Sequence, residues 1–104
     1  MIIIKTTSNS EKSLKKIANG LLEKNLIACV NILDGVKSIY KWENKVIEDS
    51  EYIMFIKTLK TKEKEVYDFI KKEHNYEVPE LATLNLSKID NRFLSWLKEV
   101  IKDA

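Results

Sequence analysis

The segment from Leu26 to Trp42, LIACVNILDGVKSIYKW, decides the fold of this chain because it contains two apolar strand patterns in succession. The first, Leu26–Leu33, is a nearly continuous apolar run rich in valine and isoleucine, which is typical of a buried strand. The second, Val36–Trp42, alternates, so that every second side chain lies on one face. Between them, Asp34-Gly35 is either the two-residue turn of a hairpin or a bulge within one long strand. The residues alone leave both possibilities open.

The residues that follow predict a turn and a long third strand. Glu43-Asn44-Lys45 is the turn, since asparagine tolerates the left-handed conformation that such a turn requires. The run Tyr52–Ile56 is apolar without alternation, so both faces of that strand should be out of water. Helices of a small domain would cover one face, and Trp42 at the hairpin tip would be exposed unless another chain covers it. Both features predict an oligomer.

The flanking sequence predicts two further strands and three helices. MIIIK at the N-terminus and LATLNL at residues 81–86 are the strands. The predicted helix caps are Ser10, Thr61 and Asp90, with Asn25 and His74 at the ends of the first and second helices. Apolar residues at helical spacing face inward, namely Leu14, Ile17, Ala18, Leu21 and Leu22, then Val66, Phe69 and Ile70, then Phe93, Leu94, Leu97, Val100 and Ile101.

The resulting order of elements, βαββαβα, defines the predicted fold class. Two βαβ units joined by a hairpin form an α+β, ferredoxin-like βαββαβ subunit, in which helices cover one face of an antiparallel sheet. Here the central hairpin is long and a C-terminal helix is added. Since a chain of 104 residues forms one core, we expect a single domain over residues 1–104.

Composition argues against several classes of function. Cationic side chains exceed anionic ones by only two, 18 against 16, and Arg92 is the one arginine, which argues against nucleic acid as a partner. Two glycines cannot supply a glycine-rich phosphate loop. Cys29 is the only cysteine, so no internal disulfide can form, and we expect a reducing, cytoplasmic setting. Without a basic leader or a segment of membrane-spanning length, we expect a soluble, unprocessed protein that does not engage a membrane.

The stretch KEHNYEVPEL, residues 72–81, is the candidate chemical site because it contains the only histidine. An imidazole with nearby carboxylates, such as Glu77 and Glu80, suits Zn, Cu or Ni. The spacing matches no metal motif, and the residues alone favour His74 as a cation at a helix C-terminus, with Asn75 and Pro79 ending the helix. The hairpin carries further oxygen ligands, otherwise explained as a solvated face: Glu43, Glu48, Asp49 and Glu51.

Five stretches at compatible spacing together resemble the CutA1 family, known as divalent-cation tolerance proteins. They are LIACVNIL with the following Gly35-Val36, then SIYKWENK, then Glu51 leading into IKT, then HNYEVPEL, and finally FLSWL. The resemblance implies a ferredoxin-like subunit that forms a tight homotrimer through its long hairpin strands, cytoplasmic in bacteria and archaea. It therefore favours one long bent strand through Asp34-Gly35 over a separate hairpin.

The resemblance also implies a function in tolerance to divalent metals, copper above all, with metal bound near the clefts between subunits and no catalysis. His74 matches the family's ligand histidine, and Glu80 and Cys29 are the further candidate ligands for Cu(II). No cofactor is obligatory. The chain departs from the family pattern at three bends, with Asp34 and Asn75 where proline is common and Asn44 where glycine is common. Of these, Asn75 is expected to loosen the backbone that presents the imidazole.

A second hypothesis comes from the PII signalling proteins, whose trimeric architecture the family resembles. Such trimers bind small regulatory molecules between subunits, and Tyr40, Trp42 and Tyr76 could line a cleft of that kind. An enzyme of the acylphosphatase type is disfavoured, because TTSNS after the first strand offers no arginine for a phosphate. An RNA-binding sheet is disfavoured too, because the first strand has no aromatic residue on which a base could stack.

Overall fold

The computed structural model describes residues 1–102 and has the predicted order of elements. The strands are β1 (Ile2–Ser8), β2 (Cys29–Trp42), β3 (Lys45–Thr58) and β4 (Ala82–Asn85), and the helices are α1 (Glu11–Glu23), α2 (Glu63–Glu73) and α3 (Asn91–Ile101). The strands form one antiparallel sheet in the order β2-β3-β1-β4. The α+β, ferredoxin-like prediction with a long central hairpin and a C-terminal helix is therefore confirmed.

Asp34-Gly35 is a bulge, so the two patterns of Leu26–Trp42 belong to one strand. Leu33 pairs with Ile53 and Val36 with Glu51, which leaves two residues of β2 opposite a single residue of β3. Gly35 has φ +67°, a left-handed conformation that glycine adopts without strain. The alternative of a hairpin turn at this point is wrong.

The hairpin turn lies at Glu43-Asn44, as predicted. Both residues have positive φ, 50° and 64°, which is the conformation of a two-residue turn matched to the twist of the strands. Because β2 and β3 each run for 14 residues, the hairpin extends beyond the helices and the molecule measures 46 × 27 × 21 Å.

The core lies between one face of the sheet and helices α1 and α2. Alternate residues of β1 and β3 point into it, and apolar positions of the two helices complete it. Its fully buried members include Ile4, Leu14, Ile17, Leu21, Met54, Ile56, Val66 and Ile70. Gly20 allows the helices to approach, since a Cβ at this position would lie 2.5 Å from Cζ of Phe69.

Two predicted helix caps are confirmed, one predicted cap is wrong, and two residues predicted to face inward are exposed. The Ser10 hydroxyl accepts a hydrogen bond from the Ser13 N–H, and the Asp90 carboxylate accepts from two N–H groups of α3, so both caps are present. Thr61 caps no helix, because a 3₁₀ turn over Lys60–Lys62 continues directly into α2 and places Thr61 inside it. Phe93 and Leu22 were predicted to face inward but are 36% and 37% exposed.

Helix α3 packs apart from the main core, which explains the position of Phe93. Leu97 and Ile101 are buried in a smaller cluster with Ala28, next to Met1, Leu59 and Val100. Phe93 is 36% exposed and packs against Trp96, with ring centroids 5.6 Å apart. Phe93 lies one turn before Leu97 on the same stripe, and at this end of α3 the stripe is partly exposed, with Lys57 Nζ 5.8 Å from the ring centroid.

The second face of the sheet has no helical layer like that of α1 and α2. Direct pairing places Ile3, Phe55 and Leu84 on this face, where they are partly or largely exposed, and Ile53 and Leu33 continue it along the hairpin. We call it the open face. In residues 1–102 there is no helix with the length and apolar character needed to cross a lipid bilayer.

Candidate functional site

A cleft lies on the open face where the segment 74–81, between α2 and β4, crosses the outer half of the hairpin. Its cavity has a volume of about 640 Å³. We call it the hairpin cleft. The residues that line it are Thr7 and Asn9 from the end of β1, Tyr40 and Trp42 from β2, Asp49 and Glu51 from β3, and Asn75, Tyr76, Glu77, Val78 and Glu80 from the crossing segment.

The bulge decides which side chains of β2 reach this cleft. Before it, the even-numbered Ile32 pairs with the buried Met54 and faces the helices. After it, the even-numbered Tyr40 pairs with Ile47, on the face shared by Asp49 and the other odd-numbered residues of β3. One extra residue therefore reverses the face of all later positions on β2, because side chains alternate with a period of two.

Glu51 is the most deeply placed carboxylate of the cleft, with 8% of its surface exposed. Its Oε2 accepts a hydrogen bond of 2.6 Å from the Tyr76 hydroxyl. Among residues 1–102 no cationic side chain pairs with Glu51, and its other oxygen has no hydrogen-bond partner. Burial, together with the Glu51 carboxylate, raises the pKa of Tyr76 well above its ordinary value, so the phenol remains a proton donor at neutral pH.

A second phenol and carboxylate pair lies nearer to the hairpin tip. The Tyr40 hydroxyl donates to Asp49 Oδ2 across the two strands. This hydrogen bond to Asp49 raises the pKa of Tyr40. Trp42, two residues further along the same face, is 59% exposed. The cleft therefore combines aromatic surfaces with carboxylates whose negative charge is shared with neutral hydroxyl donors.

His74 lies beneath the cleft rather than in it, at the end of α2 as predicted. It is 9% exposed, and both ring nitrogens have partners: Nε2 donates to the Thr7 carbonyl oxygen at 2.8 Å, and Nδ1 accepts from the Tyr76 N–H at 2.9 Å. These two bonds define a neutral imidazole with its proton on Nε2. Burial lowers the pKa of His74, which favours the same neutral form.

Asn75 ties the crossing segment to the end of β1. Its Oδ1 accepts from the Ser8 hydroxyl at 2.6 Å, and its Nδ2 donates to Asn9 Oδ1 at 2.9 Å. The expected loosening at this position is therefore opposed by two hydrogen bonds that a proline could not make. These two hydrogen bonds of Asn75 and the two of His74 together hold the crossing segment in the position from which the Tyr76 hydroxyl reaches Glu51.

The three predicted metal ligands are not brought together by this chain. Glu80 lies at the rim of the cleft and pairs with Lys5 at 3.0 Å. Cys29 pairs with Lys57, four residues along β3 from the partner of Thr7, which places it roughly 13 Å along the sheet from the His74 region. Within the described part of the chain, no three His, Cys, Asp or Glu side chains converge closely enough to hold a metal ion.

The aromatic residues predicted to line a ligand cleft are brought together. Tyr40, Trp42 and Tyr76 border the same cavity, although they come from elements more than 30 residues apart. Sequence reasoning missed Thr7, Asn9 and Val78, because the contact between the end of β1 and the crossing segment is a matter of tertiary structure. Asp49 and Glu51 were candidates only as hairpin acids, and strand alternation alone could not relate them to Tyr76.

Comparison with known proteins identifies the relatives of this chain. Residues 2–100 match the model of the family described as CutA1 divalent ion tolerance protein. The divalent-cation tolerance protein CutA of Thermotoga maritima is 36% identical over 101 residues, which cover 97% of this chain and 99% of that protein. The chloroplastic protein CutA of Arabidopsis thaliana is 36% identical over 97 residues, 93% of this chain but only 53% of that protein.

The chain thus spans about half the length of several relatives, including the plant protein and the human protein CutA. Among solved structures, CutA1 from Pyrococcus horikoshii superposes with a TM-score of 0.94 at 33% identity, covering 99% of this chain and all of that one. The likeness therefore extends over the whole sheet and all three helices.

Proposed function

This chain belongs to the CutA1 divalent ion tolerance family, and on that premise we propose that it acts in divalent-cation tolerance as a binding protein without catalysis. It functions as a cytoplasmic homotrimer that binds divalent ions, Cu(II) foremost, in the hairpin cleft near the contacts between subunits. The observation that carries this proposal is the charge of the cleft. Four carboxylates line its cavity, and none of the described residues that line it is a lysine or an arginine.

The donors of the cleft support an oxygen-ligated site. Carboxylate oxygens bind hard divalent ions, and at a site without strict geometry the Irving–Williams order places Cu(II) above Ni(II) and Zn(II). Glu51 and Glu80 are the principal ligands that one chain offers, since Glu51 has no ion pair among the described residues and Glu80 can exchange its partly exposed Lys5 for a metal. His74 would become a ligand only by giving up one of its two hydrogen bonds, and Cys29 lies too far away.

Titration of Cu(II) by calorimetry tests this proposal. We expect Glu51→Gln and Glu80→Gln each to weaken Cu(II) binding by at least about tenfold. The matched control is Glu48→Gln, because Glu48 lies on the same hairpin but on the opposite face of β3, exposed and loosely paired with Lys37 at 3.9 Å. Equal affinity in all four proteins would contradict a cation site in the hairpin cleft.

The open face of the sheet supports the homotrimer. It carries partly exposed apolar residues along its whole length, and a second copy of the same chain is the partner that the long hairpin can reach. Light scattering is expected to give a mass three times the 12.2 kDa of one chain. A mass of one chain at micromolar concentration would contradict this part of the proposal.

The placement of the reactive side chains supports a function without catalysis. A cysteine nucleophile needs a nearby base, whereas Cys29 and His74 lie at different ends of the sheet. Both nitrogens of His74 are occupied, so it has no free site for proton transfer. The second candidate function, a trimeric sensor of a small metabolite as in the PII proteins, is favoured by one observation, the three aromatic residues around the cavity.

A further inference from the structure

We infer that the hairpin cleft binds a small organic ammonium ion, an aliphatic diamine or polyamine, held by aromatic faces and carboxylates together. The inference rests on the proposed function in one respect, that the cleft is a site for cations. It goes further by naming an organic ligand class and the positive sign of that ligand's charge.

The size of the cavity is the first argument. A divalent metal ion with its ligands at 2.0–2.6 Å occupies only a small part of a cavity of about 640 Å³. That volume lies within the range of sites that enclose whole small molecules. A metal ion alone would leave the aromatic side of the cleft unused.

The aromatic side of the cleft is the second argument. Tyr40 and Trp42 of β2 and Tyr76 of the crossing segment border the cavity. Indole and phenol rings attract an ammonium group through the negative potential of their faces, and Trp is the strongest of them. An exposed Trp42 at the edge of a cavity is costly in water but useful to a ligand with a hydrocarbon chain between its charges.

Charge is the third argument, and it sets the sign of the ligand. Glu51 is more than nine-tenths buried, lines the cavity and has no cationic partner among the described residues. A buried carboxylate without a counter-charge is unfavourable, and a ligand cation removes that cost. Its unpaired oxygen can accept an ammonium N–H, which a quaternary ammonium does not offer.

Several carboxylates at different depths fit a ligand with more than one charge. Asp49 lies toward the hairpin tip, Glu51 at the base of the cleft, and Glu77 and Glu80 on the crossing segment. A linear polyamine places successive ammonium groups along such a series, whereas a monoamine can neutralise only one of them.

Fluorescence titration of the assembled protein tests the inference. Trp42 and Trp96 are the only tryptophans, so Trp96→Phe leaves Trp42 as a reporter in the cleft. We expect spermidine and putrescine to cause a saturable change in its emission, with sodium chloride at equal ionic strength causing none. Succinate, as an anionic probe, should cause none either.

Two variants show whether the cleft residues are responsible. Glu51→Gln should weaken spermidine binding by roughly tenfold, while Glu48→Gln on the opposite face should leave it unchanged. Trp42→Leu, followed by calorimetry, should weaken it by roughly 3- to 30-fold, the range expected for the loss of one cation–π contact. Light scattering on each variant establishes that it assembles like the wild type. If Trp42→Leu does not assemble, the comparison of Glu51→Gln with Glu48→Gln still tests the inference.

The outcomes separate this inference from the proposed function. Cu(II) binding with no saturable response to either amine would overturn the inference and leave the proposed function standing, as would binding of succinate instead. Amine binding that Glu51→Gln weakens, without Cu(II) binding, would support the inference and contradict the metal site. A lysine of a neighbouring subunit in the cleft would exclude the amines, so it would abolish the response to both of them and overturn the inference.

Discussion

The inner and outer halves of the hairpin are built from the same two strands but differ in what covers them and in which side chains they expose. In the inner half, Val30 and Ile32 of β2 pair with Ile56 and Met54 of β3, and this face lies under the helices. In the outer half, beyond Gly35, no helix of residues 1–102 covers the strands, and the side chains that share a face are the aromatic and acidic residues of the cleft. Within one hairpin, the inner half therefore provides stability and the outer half provides a surface.

The largest difference between the halves should appear when each loses apolar side-chain atoms. Ile56 is fully buried in the inner half, so Ile56→Ala should lower the free energy of unfolding by about 2–5 kcal/mol. Val46 is 73% exposed in the outer half, and Val46→Ala should change the free energy of unfolding by less than about 0.5 kcal/mol. Urea denaturation measures both. A loss at Val46 as large as that at Ile56 would contradict the division.

The bulge that separates the halves should be sensitive to backbone conformation alone. A Cβ at Gly35 would meet nothing within 4 Å, yet φ there is +67°. Gly35→Val should therefore cost about 1–2 kcal/mol, since a β-branched residue is strained in the left-handed region. Thermal unfolding measures the loss, and Cu(II) titration of the same variant measures whether the cleft depends on the bend. An unchanged melting temperature would show that the bulge tolerates another geometry.

Acid should weaken the outer half by releasing the crossing segment. Burial lowers the pKa of His74 in the folded protein, so the unfolded chain binds more protons and stability falls as pH drops below the unfolded value of about 6.5. Protonation of Nδ1 also removes the bond from the Tyr76 N–H, a loss of about 0.5–1.5 kcal/mol.

Unfolding free energies at pH 7.5 and 5.5 measure this effect, with His74→Gln as the control that should lose this part of the pH dependence. Hydrogen exchange should locate the loosening in residues 74–81 rather than in the inner half. The same pH dependence in wild type and His74→Gln would assign it to other groups.

The smallest expected effect is a gain, at the tip of the outer half. Glu43 has φ +50°, a conformation that asparagine adopts more easily than glutamate. Glu43→Asn should therefore raise the free energy of unfolding by about 0.5 kcal/mol, measured in urea, and leave Cu(II) binding unchanged. A destabilised variant would indicate that Glu43 makes a contact which only the assembled protein contains.

Local signals predicted most of the fold. Ser10 and Asp90 cap helices because a side-chain oxygen before a helix satisfies its free N–H groups whatever surrounds it. The turn at Glu43-Asn44 followed from the same kind of local preference. The predicted cap Thr61 was wrong for a related reason, since a 3₁₀ turn over Lys60–Lys62 satisfies the free N–H groups at the start of α2 without a side-chain cap. The prediction for Phe93 was wrong because α3 packs on a small separate cluster, which covers the stripe at Leu97 and Ile101 but not one turn earlier at Phe93.

The candidate site was less predictable. Tyr40, Trp42 and Tyr76 were expected in one cleft and lie in one, but the expected set of His74, Glu80 and Cys29 is spread over the sheet. A family resemblance identifies which residue types recur. It does not say which nitrogen of His74 carries a proton, because that depends on the Thr7 carbonyl, 67 positions away in the chain.

The sequence by itself determined the order of elements, the caps Ser10 and Asp90, the turn at the hairpin tip and the identity of the family, because each depends on near neighbours or on the pattern of the whole chain. Only the tertiary structure decided how Asp34-Gly35 shifts the pairing of β2, that Tyr40 and Trp42 thereby share a face with Glu51, and that the His74 ring bonds to the Thr7 carbonyl and the Tyr76 N–H. The physical reason is that alternation has a period of two. One unpaired residue reverses it, and only the pairing with β3 reveals where that residue lies.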